Sequence, residues 1–146
     1  VKTINPTSNL PISQAVYVAI GATVEDSLGN PITAANATFT TGGTDTTAPT
    51  ASLITSGEID SGSQDAVVQS TETGTAYLVN TAITVSNLAS ITGAADNKWN
   101  SVAISSATTN TTLAATGLAD GTYKVYAVDA AGNLSSASSN SLSVKN

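Results

Sequence analysis

Apolar and polar residues alternate with a period of two in several short runs along the chain: Ala15-Val-Tyr-Val-Ala-Ile20, Ala76-Tyr-Leu-Val79, Ile83-Thr-Val-Ser86 and Tyr123-Lys-Val-Tyr-Ala-Val128. A period of two sends successive side chains to opposite faces of a strand, so that Tyr123, Val125 and Ala127 share one face and the other can meet water. Between the runs lie clusters that favour turns: Leu28-Gly-Asn-Pro31, Gly42-Gly43, Asp60-Ser-Gly62, Ala119-Asp-Gly121 and Ala131-Gly-Asn133. The 3.6-residue period of a helix is not sustained for three turns anywhere. Short strands at roughly ten-residue spacing, separated by Gly, Asn and Asp, predict an all-β fold of the sandwich type.

The stretch Gly43-Thr-Asp-Thr-Thr-Ala-Pro-Thr50 is small, polar and proline-bearing, and it divides the chain. The division predicts a first piece over 1–43, a linker over 44–50 and a sandwich over 51–146. Strands of the second piece are expected at 51–55, 65–71, 75–80, 82–88, 98–105, 111–116, 121–129 and 136–145. Each piece carries the pattern D-x-x-G-N, once at Asp26, Gly29 and Asn30 and again at Asp129, Gly132 and Asn133, followed by a last strand rich in Thr or Ser.

Composition narrows the picture. Hydrophobic residues make up 40% of the 146, enough to build a core, although Ser and Thr exceed a quarter of the chain. Ten acidic residues face four lysines and no arginine, for a net charge of −6. Such a chain has little with which to displace counterions from phosphates, which argues against nucleic acid as a partner. Cysteine, histidine and methionine are absent. No apolar run approaches the ~18 residues that span a bilayer, so no membrane insertion is expected. Without His or Cys, neither a Ser-His-Asp triad nor a Cys-His pair can be assembled, and the acids fall in turns and linkers. A non-enzymatic role is the expectation.

Two short motifs bear on structure. In Leu118-Ala-Asp-Gly-Thr-Tyr123 a leucine stands five residues before a tyrosine at the head of an alternating strand. This arrangement resembles the tyrosine corner of immunoglobulin-like and fibronectin type III sandwiches, which implies a structural role for Leu118 and Tyr123. The run from Leu118 through Ser135 is similar to the closing strands of bacterial Ig-like modules. The run from Leu10 through Tyr17, Gly21, Asp26, Gly29 and Asn30 to Phe39-Thr-Thr41 is similar to the closing half of such a module in S-layer proteins. The resemblance covers nearly the whole chain. It implies an immunoglobulin-like sandwich preceded by a partial module, on the bacterial cell surface, in a stalk, an adhesin, a surface layer or a filament.

The repeated D-x-x-G-N has two readings. As a hairpin device, Asp bonds the backbone two residues on and Gly supplies a positive φ. As a calcium ligand, its oxygens suit a hard cation, and the acids best placed for a site at the seam are Asp45 with Glu58, Asp60 or Asp65. No other cofactor is expected. Trp99, the single tryptophan, is expected in the core or against a strand edge, with sugar stacking as the alternative. The threonines of 44–50 and 108–112 lack the two-residue array of a flat ice- or glycan-binding face. Asn36, Asn110 and Asn133 stand in Asn-x-Ser/Thr triplets.

The first piece holds too few strands to cover its own apolar face. Three arrangements compete: the covering half belongs to a longer protein, the strands pack onto 51–146, or they complete a neighbouring subunit by strand addition. In the last case Val16, Val18 and Ile20 are the apolar pegs. The expected function is organisational, in contact with neighbouring modules or identical subunits. A calcium-rigidified adhesin repeat and a glycan- or ice-binding module are the alternatives.

Overall fold

A computed structural model describes residues 14–21, 24–31, 33 and 35–146. The chain divides into two compact units, Val1–Asp45 and Thr46–Asn146, and the boundary falls inside the stretch expected as a linker. Both are built from strands.

In the first unit, β1 (Ala15–Ile20) and β2 (Ala35–Thr40) pair antiparallel. The register sets Val16 opposite Phe39 and Val18 opposite Ala37, while Tyr17 faces Thr38 and Ala19 faces Asn36. Directly opposed residues share a face. One face therefore gathers Val16, Val18, Ile20, Ala37 and Phe39, and the other carries Tyr17, Asn36, Thr38 and Thr40. The open end is fastened by Thr41, whose N–H donates to the Gln14 carbonyl at 3.0 Å while its hydroxyl accepts from the Gln14 N–H at 3.0 Å.

In the second unit, β3 (Ala51–Leu53), β5 (Ala66–Ser70) and β8 (Thr111–Leu113) form a sheet in the order β3-β5-β8. The strands β4 (Gly57–Asp60), β6 (Gly74–Asn80), β7 (Trp99–Ile104), β9 (Gly121–Asp129) and β10 (Leu142–Lys145) form a second, in the order β4-β10-β9-β6-β7. All pairings are antiparallel except β4 with β10. One core draws on both sheets: Leu53, Val68 and Leu113 from the smaller, and Ile59, Leu78, Ile104, Tyr123, Val125 and Val144 from the larger. Alternation explains the assignment, since β9 buries Tyr123, Val125 and Ala127 and turns Lys124 and Tyr126 outward.

Three expectations about strands are corrected. The run 82–88 is not a strand. Asn80 closes turns after β6, its side chain accepting from the Ala82 N–H at 3.0 Å and its carbonyl from the Ile83 N–H at 2.9 Å. The chain then enters a short helix, α1 (Leu88–Thr92), capped by Asn87 and Ser90 in a reciprocal box and burying Ile91. Local hydrogen bonding thus overrode a β-like alternation in Ile83–Ser86.

The last strand begins at Leu142 rather than at 136, because Ser135 and Ser138 meet β9 in another way. Each donates its N–H to a β9 carbonyl, of Ala127 and Val125 respectively, and accepts a β9 N–H from the same residue on its own hydroxyl, all at 2.8–2.9 Å. The hydroxyls stand in for ladder carbonyls. Finally, β4 had no counterpart among the expected strands.

Candidate functional site

The two D-x-x-G-N turns form the same hydrogen-bonded ring. In the first, the Asp26 carboxylate accepts from the N–H groups of Leu28 (2.8 Å) and Asn30 (3.0 Å), and its second oxygen from the Asn30 amide (3.0 Å). In the second, Asp129 accepts from the Asn133 N–H at 2.8 Å and from the Asn133 amide at 2.7 Å. The backbone closes both rings, Asp26 N–H to the Asn30 carbonyl and Asp129 N–H to that of Asn133. Gly29 at φ +80 and Gly132 at φ +93 supply the left-handed conformation that the turn requires.

The Asn30 amide holds the Asp26 carboxyl below its ordinary range, helped by the backbone N–H groups of Asn30 and Leu28. The Asn133 amide does the same for Asp129, partly opposed by burial and reinforced by the N–H groups of Asn133, Gly132 and Ala131. Both oxygens of each carboxylate are thus engaged within the turn itself.

Two of the other acids considered for calcium, Asp60 and Asp65, are held by similar bonds. Asp60 accepts from the Gly62 N–H at 2.8 Å, and its own N–H donates to Gln64 at 2.9 Å. Asp65 accepts from the Ala115 N–H at 3.3 Å, tying β5 to the end of β8. Glu58 is exposed on the edge strand β4, and Asp45 is the exposed last residue of the first unit. Among the described residues, Glu58, Asp60 and Asp65 do not converge as a group of three carboxylates. A different pair does approach: Glu72 and Asp129 bring carboxylate oxygens within 4.8 Å of each other, a proximity across the β6–β9 pairing that sequence separation concealed.

Tyr123 is completely buried. Its hydroxyl donates to the Ala119 carbonyl at 2.8 Å, with the Asn97 carbonyl at 3.3 Å, and burial raises its pKa above that of a free phenol. Leu118, 1% exposed, packs in the same core. Trp99 lies on the edge strand β7, outside the core cluster, its ring 5.8 Å from that of Tyr77 at a tilt of 47°. Its indole N–H is buried without a hydrogen-bond partner in the protein. Asn36 is exposed on β2, whereas Asn110 accepts from Gln69 at 2.6 Å and Asn133 is bound into its turn.

Val16 and Val18 are half-buried, while Ile20 and Phe39 on the same face are 42% and 47% exposed. A shallow apolar hollow of about 170 Å³ lies among Val18, Ile20, Asn36 and Ala37. In the second unit, a hollow of about 470 Å³ is walled by small residues around Pro49 and Ser136, and another of about 310 Å³ by Asp96, Trp99, Asn100 and Ser101. The first of these two contains no ionisable side chain. No helix among the described residues is long and apolar enough to cross a membrane.

No protein-family model, curated protein or solved structure matches the chain.

Proposed function

We propose that the chain is a non-catalytic structural element of a bacterial extracellular surface protein, a stalk, surface layer or filament component that joins its neighbours through β-strand contacts. The carrying observation is the hairpin of the first unit. Its Val16, Val18, Ile20, Ala37 and Phe39 face is apolar throughout, yet Ile20 and Phe39 remain substantially exposed. A two-stranded hairpin is marginal on its own, and a neighbouring module or an identical subunit that covers this face stabilises both partners. The second unit, in this reading, is an immunoglobulin-like sandwich. The strand order, with β4 parallel to β10 at one edge, and the Tyr123 hydroxyl turned back to the Ala119 carbonyl both support that class.

The non-catalytic reading is supported by the use made of the polar groups. Asp26, Asp60, Asp65 and Asp129 accept hydrogen bonds from turn or strand N–H groups, which occupy oxygens that acid–base chemistry would need. The test is negative-stain imaging of the purified chain beside Phe39→Asp. Fibres or ordered oligomers in the wild type that vanish in the variant support strand-mediated assembly. Dispersed single particles in both refute it.

A further inference from the structure

The outward face of the five-stranded sheet has a composition unlike the rest of the second unit. Residues opposite the core alternation on β9, β6 and β7 include Tyr126, Tyr77 and Trp99, three of the six aromatic residues in the chain. The register places Tyr77 directly opposite Tyr126 on one side and Ser101 on the other, and sets Val79 opposite Trp99. Trp99 is therefore the diagonal neighbour of Tyr77, consistent with the 5.8 Å between their rings. The three rings lie on three adjacent strands and, at the ~4.8 Å strand spacing, form a row spanning about 10 Å. All three are half-exposed.

We propose that this face, with Tyr126, Tyr77 and Trp99 in a row, is a binding platform for a neutral, extended polysaccharide chain. Several features select that occupant over a protein. The platform is not a greasy patch: the one large apolar residue of the second unit that stands out into solvent is Ile54, beyond the end of β3 in the other sheet. Its rings are interleaved with the hydroxyls of Ser101 and Thr75, which match a sugar chain that offers C–H faces bordered by hydroxyls. Beside Trp99 the hollow of about 310 Å³ adds the carboxylate of Asp96, an acceptor for sugar hydroxyls, whereas the Asn100 amide on the other face of β7 is held by the Ala114 and Thr116 carbonyls. Charge is sparse, with Lys124 the one ion next to the row on β9, so a polyanion finds little to bind.

The identity of Trp99 points the same way. Its indole N–H has no acceptor in the protein, so no hydrogen bond of the fold accounts for a tryptophan on this edge strand beside Tyr77. The sequence concealed the platform, because the three rings lie at positions 77, 99 and 126 and only the β9-β6-β7 order joins them.

Since Trp99 is the single tryptophan, its fluorescence reports directly on this face. The full chain is titrated with cellohexaose, chitohexaose and mannohexaose to ~10 mM, a range that captures weak millimolar binding. The expected result is a saturable change with at least one of them. Tyr77→Ala and Tyr126→Ala should each weaken that binding by about tenfold or more, with melting temperature checked in parallel, while Tyr17→Ala in the first unit leaves it unaltered. Trp99→Phe, read by calorimetry, should retain most of the affinity, because the ring face persists. Absence of a saturable change with all three sugars in the wild-type chain overturns the proposal, as does binding that both tyrosine variants leave at full strength.

Discussion

The same five-residue turn closes a hairpin in each unit, and its hydrogen bonds are nearly identical in settings that differ greatly. Around Asp26 the turn is exposed, whereas Asp129 is only 8% exposed and continues directly from the nine-residue β9, which is paired on both sides. The Asp–Asn ring is thus a local device that forms without help from a core. What it holds in place is not local. The second turn terminates a strand anchored by Tyr123, Val125 and Ala127 in a shared core, while the first lies in a unit whose hairpin leaves Ile20 and Phe39 open to solvent. On the proposed reading, these equal turns on unequal foundations make the second unit stable by itself and the first dependent on a partner.

The contrast is broken most severely at Gly74. It pairs with Asp129 at φ +150, and a Cβ there would lie 2.0 Å from the Val128 carbonyl oxygen. Gly74→Ala is expected to cost the second unit at least about 3 kcal/mol and to lower its melting temperature by more than about 10 °C in calorimetry.

A smaller effect separates the turns themselves. Gly132→Ala and Gly29→Ala both force a side chain into a left-handed backbone at about 1–2 kcal/mol. Only Gly132→Ala should move the main unfolding transition, by roughly 4–8 °C. Equal shifts from the two would mean that the units unfold as one.

Acid sharpens the comparison further. Both carboxyls are held below their unfolded value of about 3.9, so their contribution is complete above that pH and is lost as pH falls through the folded values. Thermal stability should be flat from pH 7 to about 5 and fall below about 4. Asp129→Asn should flatten that fall in the main transition, and Asp26→Asn should leave it as it was.

Calcium is expected to have the smallest effect. Because the Asn amides and backbone N–H groups already occupy the carboxylates of both turns, 5 mM calcium against chelator should shift melting by less than about 1 °C. A larger rise that Glu72→Gln abolishes would move the weight to a calcium-rigidified repeat.

Much of the fold was legible because the strands that build the core declare themselves by alternation: Ala76–Val79 and Tyr123–Val128 lie in β6 and β9, the central pair of the larger sheet. Errors arose where side chains took over backbone pairing. Asn80 and Asn87 turned an alternating run into a turn and a capped helix, and Ser135 and Ser138 replaced strand carbonyls with hydroxyls. Residues with short polar side chains fit both outcomes, so period alone does not separate them. The turn at D-x-x-G-N was readable in part, as an Asp bonding the backbone two residues on and a Gly at positive φ, but the closure of each ring by the Asn amide was not. The approach of Glu72 to Asp129 and the row of three rings depend on strand order, which no local pattern encodes.

The central claim, that the first unit is completed by a neighbour, is tested most directly by light scattering of the full chain over a concentration series to about 0.5 mM, beside Val18→Asp and Phe39→Asp. The account predicts a wild-type mass that rises with concentration and variants that remain monomeric with the main unfolding transition intact. A wild-type chain that is monomeric throughout the series contradicts it.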